Sequence, residues 1–130
     1  EEVAIDGGTN YDHAIFITAT GSSNESYIVT NAAIDLTPYS KVGVIWECIE
    51  YEPQGGSASG SLVASTIKNA TKDTYDARVL RLAPFYGNQG KVDILDVSSL
   101  SGNYYIRVHS FNYNSGSDTT ITIYGIWLEV

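Results

Sequence analysis

Along most of the chain apolar and polar side chains alternate with a period of two, the repeat of a strand whose successive side chains point to opposite faces. In Lys41 to Glu50 this puts Val42, Val44, Trp46 and Cys48 on one side and Gly43, Ile45, Glu47 and Ile49 on the other. The first set reads as core. In Asn103 to Phe111, Tyr104, Ile106 and Val108 alternate with Tyr105, Arg107 and His109. The aliphatic set is expected to face inward and the polar, aromatic set outward. Comparable runs occur at Ala14 to Thr20, Ser26 to Thr30, Ser61 to Ile67, Ala77 to Ala83, Lys91 to Val97 and Thr119 to Val130, giving about eight strands.

The last run changes phase. Ile121 and Ile123 share one parity, whereas Ile126, Leu128 and Val130 share the other. A bulge at Tyr124-Gly125 restores one continuous inner face, since an extra residue shifts the register and glycine tolerates the distortion. The same bulge turns Trp127 and Glu129 outward. Between runs lie residues suited to turns, among them Asp6-Gly7-Gly8, Gly21 to Asn24, Gly87 to Gly90 and Asn112 to Ser117. The longest such stretch, Glu52 to Gly60, is expected to be a plain hairpin connection, with a ligand-covering loop as the alternative.

At 130 residues the chain is long enough for one domain with its own core. No repeat array is apparent, and the strand content makes residues 1–130 a single antiparallel β-sandwich domain. The absence of methionine, even at position 1, leads us to expect a domain excised from a larger protein. A net charge of −8 argues against nucleic acid and anionic membrane surfaces as partners. No stretch approaches the length of a membrane span, so membrane insertion is not expected. The one cysteine, Cys48, cannot form an internal disulfide and sits in an apolar run, where a thiol packs as a small hydrophobe.

Two segments go beyond a generic sandwich. Ile34-Asp35-Leu36-Thr37-Pro38-Tyr39-Ser40-Lys41-Val42-Gly43-Val44 resembles the stretch of carbohydrate-binding jelly rolls in which an Asp-Leu-Thr turn leads into a long central strand. Asp96-Val97-Ser98-Ser99-Leu100-Ser101-Gly102-Asn103-Tyr104-Tyr105-Ile106-Arg107-Val108, followed by Ile121 to Glu129, is similar to the C-terminal strand pair of the same galactose-binding-like domains. The pairing also resembles accessory modules on phage tail and baseplate proteins and on bacterial extracellular proteins. The resemblance implies an all-β, two-sheet jelly roll that contacts cell-surface or polymeric glycan, in an extracellular or virion setting. It requires no cofactor. Many relatives carry a structural calcium ion, for which Asp6, Asp12 and Glu129 would supply oxygens here, although no dense run of alternating ligands marks the site.

Sugar recognition uses flat apolar faces against C–H surfaces and planar polar groups toward hydroxyls. Tyr105, Arg107 and His109 offer these along one strand at about 7 Å spacing, which suits successive contacts on a glycan. Trp127 and Glu47 are candidates to join them, with Tyr86 and Tyr51 as walls near strand ends. The competing reading is that Tyr105 and Arg107 solvate an outer face, the arginine covering an aromatic ring. His13 and His109 lack the spacing of a metal site. No carboxylate pair, Gly-x-Ser-x-Gly elbow, HExxH pair or phosphate loop is set apart, so an enzyme is not expected.

The preferred reading is therefore a non-catalytic adhesion module joined to other domains of a parent protein. The alternative is a structural module without a sugar site, which forms homo-oligomers by burying outward Ile45, Ile49 and Trp127 between protomers.

Overall fold

A computed structural model of the chain describes residues 15–20, 24–51, 58–68, 79–86, 89–112 and 118–130. The described residues form β1 (Ile15–Thr20), β2 (Asn24–Val29), β3 (Ile34–Asp35), β4 (Lys41–Tyr51), β5 (Ala58–Ser65), β6 (Val79–Tyr86), β7 (Gln89–Asp96), β8 (Asn103–Asn112) and β9 (Asp118–Glu129). Eight are full strands, and β3 is a two-residue extension beside β8. One sheet runs β1-β9-β4-β7 and the other β2-β8-β5-β6. Every pairing is antiparallel. β5 and β6 pair directly, and β2 and β3 lie one after the other along β8. All other connections pass between the sheets, which is the wrapping of a jelly roll.

That wrapping corrects one expectation. The stretch Glu52 to Gly60 does not close a hairpin, because β4 lies in the first sheet and β5 in the second. Chain proximity favours pairing of consecutive strands, but the jelly roll instead pairs β4 with β7 and β9, placing sequence-distant strands side by side.

The alternation in β4 and β8 behaves as the pattern requires. Val42, Val44, Trp46 and Cys48 are fully buried, and Ile106 and Val108 meet them from the other sheet together with Leu62 and Ala64 of β5. The Trp46 indole N–H donates to Asp93 Oδ2 at 2.7 Å. Asp93 lies opposite Val44 on β7, the edge strand, and so faces the core side. A carboxylate pointing inward from an edge both satisfies the indole and discourages a further strand from adding there.

The expected bulge is present. Ile45 pairs with Gly125 and Trp46 with Ile123, leaving Tyr124 as the extra residue. Ile126 and Leu128 thereby fall opposite Val44 and Val42, on the same side as Ile121 and Ile123, and Trp127 falls opposite Gly43 on the outer side.

Two corners of the same design carry the chain between sheets. Asp35 Oδ1 accepts the Thr37 backbone N–H at 2.9 Å, and Asp96 Oδ1 accepts the Ser98 backbone N–H at 2.8 Å. In each corner the next apolar residue, Leu36 or Val97, is fully buried. A turn closes behind it, from Tyr39 N–H to Leu36 O at 3.0 Å and from Leu100 N–H to Val97 O at 2.9 Å. The corners also hold each other: Leu36 N–H donates to Gly102 O, Val97 N–H to Ser40 O, and Gly102 N–H to Thr37 Oγ1, all at 2.9 Å. Gly102 has φ 92°, a left-handed conformation that side-chain-bearing residues rarely take. Hydrogen bonds from the side chain and backbone of Thr37 hold the Asp35 carboxyl below its usual range. Those of Ser98, aided by the charge of Lys41, do the same for Asp96.

Candidate functional site

The candidate residues divide between opposite sides of the sandwich. Tyr105, Arg107 and His109 lie on the outward side of β8, in the second sheet. Tyr27 and Ser61 stand opposite His109, Val29 and Val63 opposite Arg107, and Ser65 opposite Tyr105. This face points away from the core, as the alternation requires, yet its centre is closed. Ser61, Val63 and Ser65 are at most 1% exposed, Arg107 is 3% exposed and His109 5%. The open row expected from the sequence is a buried polar cluster.

Local contacts account for part of that closure. The Arg107 guanidinium lies 4.0 Å from the centroid of the Tyr27 ring, and Ser61 Oγ is hydrogen-bonded to His109 Nε2. Beyond β5 the chain turns back over the face: Ile67 packs on Val63, and its N–H donates to Ser65 Oγ at 3.1 Å. Lys68 Nζ then donates to the Asn31 carbonyl at 2.9 Å, tying this turn to the β2–β3 connection on the other side of β8. Tyr27, 47% exposed, and partly exposed Tyr105 remain at the border of the cluster. A serine and a histidine enclosed in this way offer no nucleophile to a substrate.

Trp127 and Glu47 belong to the other side, the outward face of the first sheet. Cross-strand pairing arranges that face in rows: Asp96, Lys41 and Glu129; then Ile94, Gly43 and Trp127; then Val92, Ile45 and Gly125; then Gly90, Glu47 and Thr122. In the last row Glu47 is 2% exposed and Thr122 1%, and Glu47 Oε2 accepts the Tyr124 hydroxyl proton at 3.1 Å. Glu47 is therefore held by the residue that the bulge adds, and does not present a carboxylate at the surface.

Toward the opposite end the face is open. The Trp127 indole packs against the backbone at Gly43, where an added Cβ would lie 2.1 Å from Cζ2 and 2.2 Å from Cε2. Glycine at 43 is what lets the ring rest on the sheet. Trp127 Nε1–H donates to Glu129 Oε1 at 3.0 Å, which fixes the orientation of the partly exposed ring. Beside it Ile94 is 56% exposed, and Lys41 and Asp96 are exposed in the adjoining row. A hollow of about 350 Å³ at this end is lined by Ser40, Lys41, Ile94, Leu95, Asp96 and Ser98. A second, apolar cleft of about 540 Å³ opens between the sheets, with Ile28, Tyr39, Val42, Ile106, Ile126 and Leu128 among its walls. It has few groups to meet a polar ligand.

Among solved structures the chain resembles the legume lectin-like domain from Entamoeba histolytica, with 13% identity and a TM-score of 0.59 over 94% of this chain and 86% of that one. It also resembles the K3 cleaved adhesin domain of Lys-gingipain from Porphyromonas gingivalis, with 12% identity and a TM-score of 0.57 over 94% and 80%. A CBM4 carbohydrate-binding module matches with 9% identity and a TM-score of 0.53 over 89% and 84%. The chain has a jelly-roll fold of this kind. No protein-family model and no curated protein matches its sequence.

Tyr86 ends β6, in the second sheet, and its side chain lies outside the described part of the structure, as does that of Tyr51. Asp6 and Asp12 lie outside the described residues. Glu129, the third carboxylate considered for calcium, is engaged by the Trp127 indole. Among the described residues no three His, Cys, Asp or Glu side chains are grouped to hold a metal ion. Sequence reasoning missed Tyr27, Lys41, Ile94 and Asp96 as surface participants. The signal for Gly43 was available, as the one residue without a side chain in the outward set of β4.

Proposed function

We propose that this domain is a non-catalytic glycan-binding module, and that it binds through the open face of the first sheet. The observation carrying this reading is the Trp127 ring, laid on Gly43, oriented by Glu129 and partly open to solvent. A fixed aromatic surface of this kind can stack on the C–H face of a sugar, while neighbouring polar groups meet its hydroxyls. The likeness in fold to lectin-like and carbohydrate-binding domains supports the same reading. The role that fits such a module is attachment, as part of a phage tail, other virion component or extracellular bacterial protein.

A glycan array probed with the purified chain, with and without calcium, tests the function. Titration of any hit against Trp127→Ala and Tyr105→Ala tests the face. Trp127→Ala is expected to weaken binding by about 1–3 kcal/mol, and Tyr105→Ala to leave it nearly unchanged. The opposite result would return the site to the second sheet. Silence across the array, with a mass that rises with protein concentration, would favour an oligomerisation module burying Ile45, Ile49 and Trp127 between copies.

A further inference from the structure

The hollow at this end of the face, reached from Trp127 across Gly43 and Ile94, carries information about the kind of sugar. Its polar lining comes from the start of β4 and the residue before it, Lys41 and Ser40, and from the end of β7 and the corner after it, Asp96 and Ser98. Ser98 donates to Asp96 Oδ1 through its hydroxyl at 2.6 Å and through its backbone N–H at 2.8 Å, so the exposed carboxylate is held in a fixed place. Lys41 pairs across the sheet with Asp96 on one side and Glu129 on the other, so one basic residue stands between two acidic ones in a single cross-strand row. Ile94 lies between this hollow and the Gly43 position under the Trp127 ring. Trp127 of β9 and Ile94 of β7 thus flank Gly43 of β4 in one row, neighbouring strands lying about 5 Å apart, and Glu129, Lys41 and Asp96 form the next row, two residues or about 7 Å along the same strands.

We infer that this end of the face selects neutral sugar residues and rejects carboxylated ones, a hexose stacking on Trp127 with adjacent hydroxyls meeting Asp96 and Lys41. The inference rests on the glycan-binding reading above. A hydroxyl pair can donate to a carboxylate and accept from an ammonium, whereas a uronate or sialate carboxylate would meet Asp96 and Glu129 as like charges. The chain's net charge of −8 adds to that repulsion at long range.

Binding of the full chain to two matched pairs of soluble polysaccharides tests this: galactan against polygalacturonate, and hydroxyethylcellulose against carboxymethylcellulose, at low and at moderate salt. The neutral member of at least one pair is expected to bind about tenfold or more tighter, with the gap narrowing as salt screens the repulsion. Asp96→Lys is expected to weaken the neutral polymer and strengthen the carboxylated one. Equal or tighter binding of carboxylated polymer by the unaltered chain would overturn the neutral selectivity while leaving glycan binding standing. Neutral binding untouched by both Trp127→Ala and Asp96→Lys would overturn the location as well. No retention of any polymer, together with a silent array, would overturn both.

Discussion

The two outward faces are written in the same two-residue code but end in different physical states. On the second sheet, Arg107, His109 and Ser61 point away from the core and are nevertheless buried, with Tyr27 over the guanidinium and the turn after β5 tied across β8 by Lys68. On the first sheet, Trp127, Lys41, Asp96 and Ile94 also point away from the core and meet solvent. Pointing outward and being accessible are separate properties. The first follows from parity along a strand; the second depends on what the rest of the chain lays on top. A polar residue on a covered face serves stability through its partners, and one on an open face is available to a ligand.

The sharpest way to break this comparison is to truncate one cation on each face. Arg107→Ala removes a buried side chain and its contact with the Tyr27 ring, and is expected to cost about 2–4 kcal/mol of folding stability. Lys41→Ala, at an exposed position of the first sheet, is expected to change stability by no more than about 0.5 kcal/mol. Urea unfolding of the two variants measures both. Similar costs for the two would mean that the faces do not differ as their burial indicates.

Gly43→Val comes next, with an expected loss of about 1–3 kcal/mol, because a side chain at 43 must displace the Trp127 ring from the sheet. It should also abolish glycan binding, a joint effect that Arg107→Ala does not predict. On the closed face, Ser61→Ala removes the partner of His109 Nε2 and is expected to cost about 1–2 kcal/mol, with binding unchanged. A loss of binding in folded Ser61→Ala would show that the second sheet, not the first, meets the sugar.

How much of this was legible beforehand follows from the same distinction. The inward and outward sets of β4 and β8 could be read from parity, and the phase change in the last strand was enough to place a bulge at Tyr124-Gly125 and to turn Trp127 outward. Parity assigns a face but not a sheet. Trp127 and Tyr105 therefore looked like members of one surface until the order β1-β9-β4-β7 separated them from β2-β8-β5-β6. The burial of Glu47 was not legible for a related reason: Tyr124, whose hydroxyl donates to it, is the residue that the bulge adds to the strand pair. The corners were half visible. Asp followed two residues later by Thr or Ser signals a side-chain-to-backbone turn, but that Asp35 and Asp96 begin matching corners that bond to each other depends on long-range pairing.

The smallest expected effect is a pH dependence that belongs to these corners. Both carboxyls titrate below the ordinary value of 3.8, Asp35 through its bonds from Thr37 and Asp96 through those from Ser98 with help from Lys41. A folded-state value below the unfolded one means that the unfolded chain binds protons first. Stability from these groups is thus fully present above about pH 4 and is lost as pH falls through the lowered folded values. Both groups are exposed, so the effect is modest, and Asp35→Asn with Asp96→Asn keeps an acceptor in place while removing the charge. Urea midpoints from pH 5 to pH 2 should show the double variant slightly less stable than the parent at the upper end, the two converging at the lower. Curves that stay parallel would assign the acid sensitivity to other carboxylates. Because Asp96 also borders the open face, its single variant should weaken glycan binding while Asp35→Asn does not, which distinguishes a corner that only turns the chain from one that also meets the ligand.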